Sequence, residues 1–376
     1  MLSLTQIIKE VINNMKKFIY LMLSILVLSF VGTNSYAEKI KVGLSAFQDV
    51  HSIFVGLDQG YYADEGIELD IVYTDWPGAN ELGAADQVEI WTTSDADIVI
   101  HNARGLDSTL AFPLYWFGGA GLMFDPNLHE WTTYETFLSE NGRDRIKAIT
   151  DTLVQTKGAK VGVSSGGAEY SAFILMLKSA GLDPADWQIL DLAQEDMPPA
   201  LLTGSIDIQI SGIPQRLAVL KEGMGTLIDQ RAVGETIAHC GFGAKRSWLD
   251  ANPDLAKSLQ RVILRTTAFI KENPDYSFPI IAENLRKQGT PYEAEWLYGV
   301  WDNMEYFVNG VDWWNTKVVP SDGIFYWKDR FEGVIDSLQA EDRVPNPYPV
   351  ELEDLNRGVE IMAALTAEGF KTSQDN

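Results

Sequence analysis

From Lys39 to Tyr73 the chain reads strand, helix, strand, and that order limits the folds open to it. Lys39 to Leu44 (KIKVGL) is a buried first strand, and Ile53, Phe54, Leu57 and Tyr61 then place an apolar face at helical spacing. Gly60-Tyr61-Tyr62-Ala63-Asp64-Glu65-Gly66 closes the helix, with Gly66 as its C-terminal glycine, and Ile67 to Tyr73 (IELDIVY) is the second strand. A β-α-β opening predicts an α/β fold with parallel strands and right-handed crossovers.

The first 37 residues carry an address. Lys16 and Lys17 precede an apolar run from Phe18 to Val31 and a polar stretch ending Ser35-Tyr36-Ala37. That is the layout of a secretory signal peptide cut after Ala37. The run is shorter than the about 20 residues a membrane span needs. Met15 offers a second start, because Met15-Lys16-Lys17 begins a normal signal by itself. With 376 residues the chain has room for two domains or one large α/β body. A net charge of -24 argues against a nucleic-acid partner, which would need a basic footprint. The single cysteine, Cys240, excludes an intramolecular disulfide and any cysteine-cluster metal site.

A second pattern occurs twice. Ser94-Asp95-Ala96-Asp97-Ile98-Val99-Ile100 precedes His101-Asn102, and Gly204-Ser205-Ile206-Asp207-Ile208-Gln209-Ile210 precedes Ser211-Gly212. Both read as turn, Asp, then a short strand, and suggest two lobes of related architecture. The second unit follows a looser aromatic stretch, Phe112 to Trp131. It contains a strand at Ala159–Val163, a turn at Ser164–Gly167, a helix over Ala168–Ala180, and a strand at Asp186–Asp191. Pro198 and Pro214 open helices, and Gly225–Ile228 is a last strand. Asn252-Pro253 begins a long amphipathic helix, after which the chain is helical, irregular and rich in Trp.

Catalytic motifs are sparse. Gly162-Val163-Ser164-Ser165-Gly166 satisfies G-x-S-x-G between a strand and a helix, with Asp191 or Asp207 and His239 in the order of a hydrolase triad. No HGGG-type segment precedes it, so a helix N-terminus offering hydroxyls and backbone N–H groups to a ligand is the better reading. His51, His101, His129 and His239 lack metal-ligand spacing, and neither a metal nor a cofactor is expected.

The ordered motifs resemble those of the periplasmic substrate-binding proteins of ABC importers, in the branch for nitrate, sulfonates, taurine and thiamine-type pyrimidines. Gly56-Leu57-Asp58-Gln59-Gly60-Tyr61-Tyr62-Ala63-Asp64-Glu65-Gly66-Ile67-Glu68-Leu69 is similar to that branch's G-Y-F/Y-x-x-E-G signature. Trp76-Pro77-Gly78 falls where its aromatic-x-Gly turn lies. Lys157–Val163, Leu201–Asp207, Pro214 and Asn252-Pro253-Asp254 follow in the family's order, so the resemblance covers Lys39 to Leu285. It implies a two-lobed α/β fold with two crossover segments; the helical C-terminal extension read from the residues beyond about Gly289 is longer and more aromatic than the resemblance leads one to expect. The expected division is 1–37 leader, 38–131 first part of lobe 1, 132–233 lobe 2, and 234–376 lobe 1 return and helical C-terminal region. The pyrimidine-precursor synthases of the superfamily carry a cysteine-rich motif that this chain lacks, so their activity is not implied.

The resemblance further implies a monomer in the periplasm that hands a small solute to a membrane-embedded ABC permease. A ligand-sensing receptor would share the fold, and an exported serine hydrolase using Ser164 is the alternative from another class. Ligands bind outside the carboxyl ends of strands in such sheets. The candidate contacts are therefore Gln48, Asp49 and His51, then Trp76 and Gly78, then His101 and Asn102 in lobe 1. Lobe 2 would add Ser164, Ser165, Gly166, Gly167, Glu169, Ser211, Ile213 and Gln215. An acid facing the cleft, Asp49 or Glu169, favours N–H donors; Arg104 or Arg216 there would favour an anion.

Overall fold

The structure, a computed structural model, describes residues 37–47, 49–164, 168–232, 237–290 and 292–375. The expected leader therefore lies outside the described residues except for Ala37. In chain order the strands are β1 Glu38–Ser45, β2 Ile67–Thr74, β3 Ile90–Ser94, β4 Ser108–Phe117, β5 Gly121–Phe124, β6 Lys160–Val163, β7 Gln188–Asp191, β8 Ile208–Ser211, β9 Gly225–Asp229, β10 Ala238–Lys245 and β11 Glu305–Phe307. They form two sheets, ordered β11-β4-β10-β3-β1-β2 and β7-β6-β8-β5-β9. Both lie within one compact unit, Lys39–Asn376.

β1, the helix Val50–Asp58 and β2 follow in the expected order with β1 and β2 neighbours in the sheet, the helix packs on that sheet, and β1 runs parallel to β3, with Val42 opposite Ile90. The second sheet keeps β6 parallel to both β7 and β8. β5 changes the expected division. It pairs antiparallel with β8 and β9, so the first passage between sheets lies at Gly118–Ala120 instead of 131/132. The return lies between Asp229 and Ala238.

Two readings fail for physical reasons. Ser94–Ile100 is no turn and strand: β3 ends at Ser94, and Asp95–Ala103 is a helix whose first turn Ser94 caps by accepting from Asp97 N. Its buried positions Ile98 and Val99 fit one helix face as well as a strand. The aromatic stretch from Phe112 is not loose either, because β4 is buried along its whole length. Pro113 disguised it, since a proline cannot donate to the ladder of an interior strand. The ladder adjusts at β10, where the register with β4 shifts between Cys240 and Gly241. An added Cβ at Gly241 would stand 2.2 Å from Phe112 O, so glycine is required for this approach.

The C-terminal region packs on the first sheet. Trp314, Phe325, Trp327, Phe331 and Leu365 form a core with Ile98, Val99, Leu110 and Trp116. Arg330 on the helix Trp327–Ala340 pairs with the fully buried Asp95, Nε to Oδ2 at 2.6 Å. The same region reaches the second sheet's helix Ala168–Ser179, where the Arg343 guanidinium lies 6.0 Å from the Tyr170 ring.

Candidate functional site

β1 and β3 are parallel neighbours, so their carboxyl ends open side by side and place Ser45, Ala46 and Phe47 next to Ser94–Asp97. The end of β2 adds Asp75 and Trp76. The Trp76 indole N–H donates to Asp97 Oδ2 at 2.9 Å, Ser94 Oγ donates to the same oxygen at 2.7 Å, and the Phe47 ring meets Trp76 edge-on at 6.1 Å. Burial pushes the Asp97 carboxyl above its ordinary range, and the Asp95 charge adds to this; the hydrogen bonds from Ser94 and Trp76 hold it back.

Glu169, buried at 7% exposure, is the second sheet's counterpart in the first turn of the helix that follows β6. It accepts from Gln194, just past β7, and an added Cβ at Gly212, just past β8, would stand 2.9 Å from its Oε1. Three strand ends of one sheet thus meet at Glu169. Its carboxyl is raised first by burial and further by the charge of Asp97 from the other sheet.

Asp49 is fully buried at the start of the helix Val50–Asp58 but makes no capping bond. Tyr115 Oη donates to its Oδ2 at 3.4 Å, and Oδ1 has no partner. Burial drives the Asp49 carboxyl well above the usual value. The thiol of Cys240, pushed up by burial, also feels Asp95, Asp49 and Asp97, which shows how closely these acids gather at one sheet end.

Other expected contacts have different work. His51 packs beside the stacked pair Trp301 and Phe307, 5.6 and 5.5 Å from their rings, inside the first sheet's core. His101 and Asn102 close the far end of the helix Asp95–Ala103, away from Ser94. There Asn102 donates to Ile98 O and Ser108 O and accepts from Arg246 Nη1. They were misplaced because that helix was read as a strand. Gly78 is not at a turn: its N–H caps on Asp75 Oδ1 at 2.8 Å within the helix Trp76–Ala84. Ser211 is buried and accepts from Gln209 Nε2, while Ile213 packs beneath Gly119 in the crossover. Ser164 ends β6 half-buried, and Gln215, 8% exposed, leaves its Oε1 without a partner. Gln48, Ser165, Gly166 and Gly167 lie outside the described residues.

The hydrolase arrangement is not assembled. Both ring nitrogens of His239 lack partners, and the ring stacks on Trp116 at 3.8 Å. Asp207 accepts from Lys160 N at the amino end of β6, opposite Ser164. Arg216 spends Nη1 and Nη2 on the crossover, while its buried Nε has no partner. Arg216 Nη1 donates to Gly119 O and Ala120 O, and Nη2 to Asp229 Oδ2, stapling the crossover. Arg104 lines a separate cavity with Asp342 and Arg343.

Phe47, Asp97 and Gln194 escaped the sequence reading. Asp97 had a signal in Ser94-x-x-Asp97, an N-cap pattern; Gln194 had none. Among the described residues no group of three or more His, Cys, Asp or Glu is placed to hold a metal, and no helix is long and apolar enough to cross a membrane.

Two α/β sheets joined by two crossovers define a periplasmic-binding-protein fold. The sequence profile of the NMT1-like family matches residues 34–280, and the chain belongs to that family. Among solved structures it is similar to the periplasmic aliphatic sulphonate binding protein SsuA from Escherichia coli, with 16% identity, TM-score 0.63, and 85% of this chain and 92% of that one covered. The periplasmic nitrate-binding protein NrtA from Synechocystis PCC 6803 is similar at 15% identity, TM-score 0.63, with 88% of each chain covered. The desulfurization enzyme DSZB shares the fold at 14% identity and TM-score 0.61, covering 89% of this chain and 100% of that one. No curated protein matches the sequence.

Proposed function

We propose that the chain is exported to the periplasm, binds a small organic solute between its two sheets, and delivers it to an ABC importer in the inner membrane. The observation that carries this reading is that each sheet gathers polar groups at its strand ends, Trp76 bonded to Asp97 in the first and Glu169 against Gly212 in the second. Ligands of open α/β sheets bind at such ends, and closure of two hinged lobes around a ligand is an established transition for this fold. The sulfonate- and nitrate-binding proteins that share the fold support a solute-carrying role, as does the secretory leader read in residues 1–37.

The test is a thermal-shift screen of the chain starting at Glu38 against nitrate, sulfonates, taurine, polyamines and pyrimidines. A solute at 100 times its Kd stabilises the folded form by about 2.7 kcal/mol, so one class should raise the melting temperature clearly. A melting temperature that no solute moves would contradict the reading.

A further inference from the structure

A cavity of about 490 Å³ opens between the second sheet's helix Ala168–Ser179 and the C-terminal region. That volume falls within the range of small-molecule sites, about 300–1,000 Å³. Its lining joins both sheets to the crossover. Trp116 belongs to β4 of the first sheet, Leu175 to the helix after β6 of the second, and Ile237 to the return passage between them. The rest comes from one stretch of the C-terminal region, Gly323 to Gly333. That wall lies outside residues 34–280, which the family profile matches. Arg330 reaches Asp95, the residue after β3, and Leu175 shares its helix with Glu169, which ties the cavity to the strand ends of both sheets.

Where the lining is open, it is apolar. Ile324 stands 74% exposed on the turn before the helix Trp327–Ala340, and Leu175 and Ile237 are half-buried. Trp116 and Phe325, both buried, stack on each other at 5.0 Å. Of the two charged groups, Arg330 gives Nε and Nη2 to the buried Asp95, and Asp329 is a carboxylate. Gly333 carries an independent observation. It sits in the interior of the helix Trp327–Ala340, where glycine weakens a helix, yet a Cβ there would meet nothing within 4 Å. Packing does not require glycine at this position; the side chain it lacks leaves the cavity open.

Resting on the solute-binding reading above, we infer that the cargo is an organic solute with a compact, uncharged apolar body that occupies this cavity against Ile324, Leu175 and Ile237. Removing Ile324 and the solute's own apolar surface from water drives the binding. Nitrate or a short sulfonate has little apolar surface to bury. It would exchange its hydration for an aliphatic wall and the like charge of Asp329, which costs affinity.

The experiment is ligand-observed fluorine NMR on the chain starting at Glu38, with 4-fluorobenzyl alcohol and 5-fluoroindole as apolar probes. Calorimetry with nitrate and methanesulfonate runs beside it. Wild type, Gly333→Leu and Ile324→Ser are compared, with melting temperatures recorded. Gly333→Leu should melt no lower than wild type, because leucine favours the helix and meets open space. An apolar probe should bind wild type. Gly333→Leu should weaken it about tenfold or more by filling the cavity, and Ile324→Ser about threefold or more by removing apolar wall. If Gly333→Leu melts lower than wild type, Ile324→Ser alone decides. Apolar probes that bind wild type and both variants alike would overturn the inference and leave solute binding intact. Oxyanion binding without apolar binding would do the same. Silence from every probe would overturn the inference, and the thermal-shift screen above then separates the loss of this site from the loss of solute binding altogether.

Discussion

The imidazole of His51 packs beside the stacked rings of Trp301 and Phe307 with almost no exposure, and burial lowers its pKa to about 3. Below pH 6.5 the unfolded chain takes up a proton that the folded chain refuses. This residue's contribution therefore weakens the fold as pH drops from 6.5 toward 3, by about 1.4 kcal/mol per pH unit. His51→Phe keeps the aromatic stack and removes the titration. Urea unfolding at pH 7 and pH 5 should show the variant gaining about 2 kcal/mol on wild type over that interval. A difference between the two that does not move with pH would contradict the buried, neutral assignment. Residue type alone could not have told a ligand histidine from this one. His51 is two positions from Asp49, which does reach the cluster of acids at the sheet end, and what separates them is the tertiary position of Trp301, 250 residues away in the sequence numbering.

At the scale of elements, periodicity exposed what obeys local rules and hid what does not. The first strand, its helix, the glycine at Gly66 and the helix from Pro253 were legible because their patterns are regular. β4 and β10 were hidden. A strand buried on both faces has no alternation, Pro113 interrupts it, and Gly241 and Gly243 make β10 look like a loop. The accommodation between these two central strands can be tested at Gly241. Gly241→Ala places a methyl 2.2 Å from Phe112 O and 2.9 Å from Leu114 N, atoms that cannot rotate away. The backbone must shift, and a loss of more than about 2 kcal/mol is expected from chemical denaturation. A variant as stable as wild type would show that the two strands do not approach as described. The helix Asp95–Ala103 failed in the opposite direction: its Ile98-Val99-Ile100 run mimics a strand, and the cap at Ser94 was the deciding signal. That single misreading displaced His101 and Asn102 into the site and left Asp97 out of it.

Across the whole molecule, the two-sheet plan followed from the family resemblance and not from the repeated pattern, one copy of which is a helix, and the points of passage followed from neither. Gly118-Gly119-Ala120 sits inside a run of buried strand residues, and the carbonyls of Gly119 and Ala120 are held by Arg216, a residue weighed as an anion contact. The C-terminal helices complete the first sheet's second face and lock Asp95 through Arg330, so the site's first-sheet half rests on residues more than 200 positions downstream. Native mass spectrometry gives the most direct test of a cleft built to hold one small molecule. The chain starting at Glu38 is incubated with a low-molecular-weight cell extract and sprayed under non-denaturing conditions. A single added mass of a small organic molecule is predicted, one per chain, and it should be lost when Trp76→Leu and Glu169→Gln are combined. A bare chain under the same conditions, or an adduct that survives that double substitution, would contradict the account.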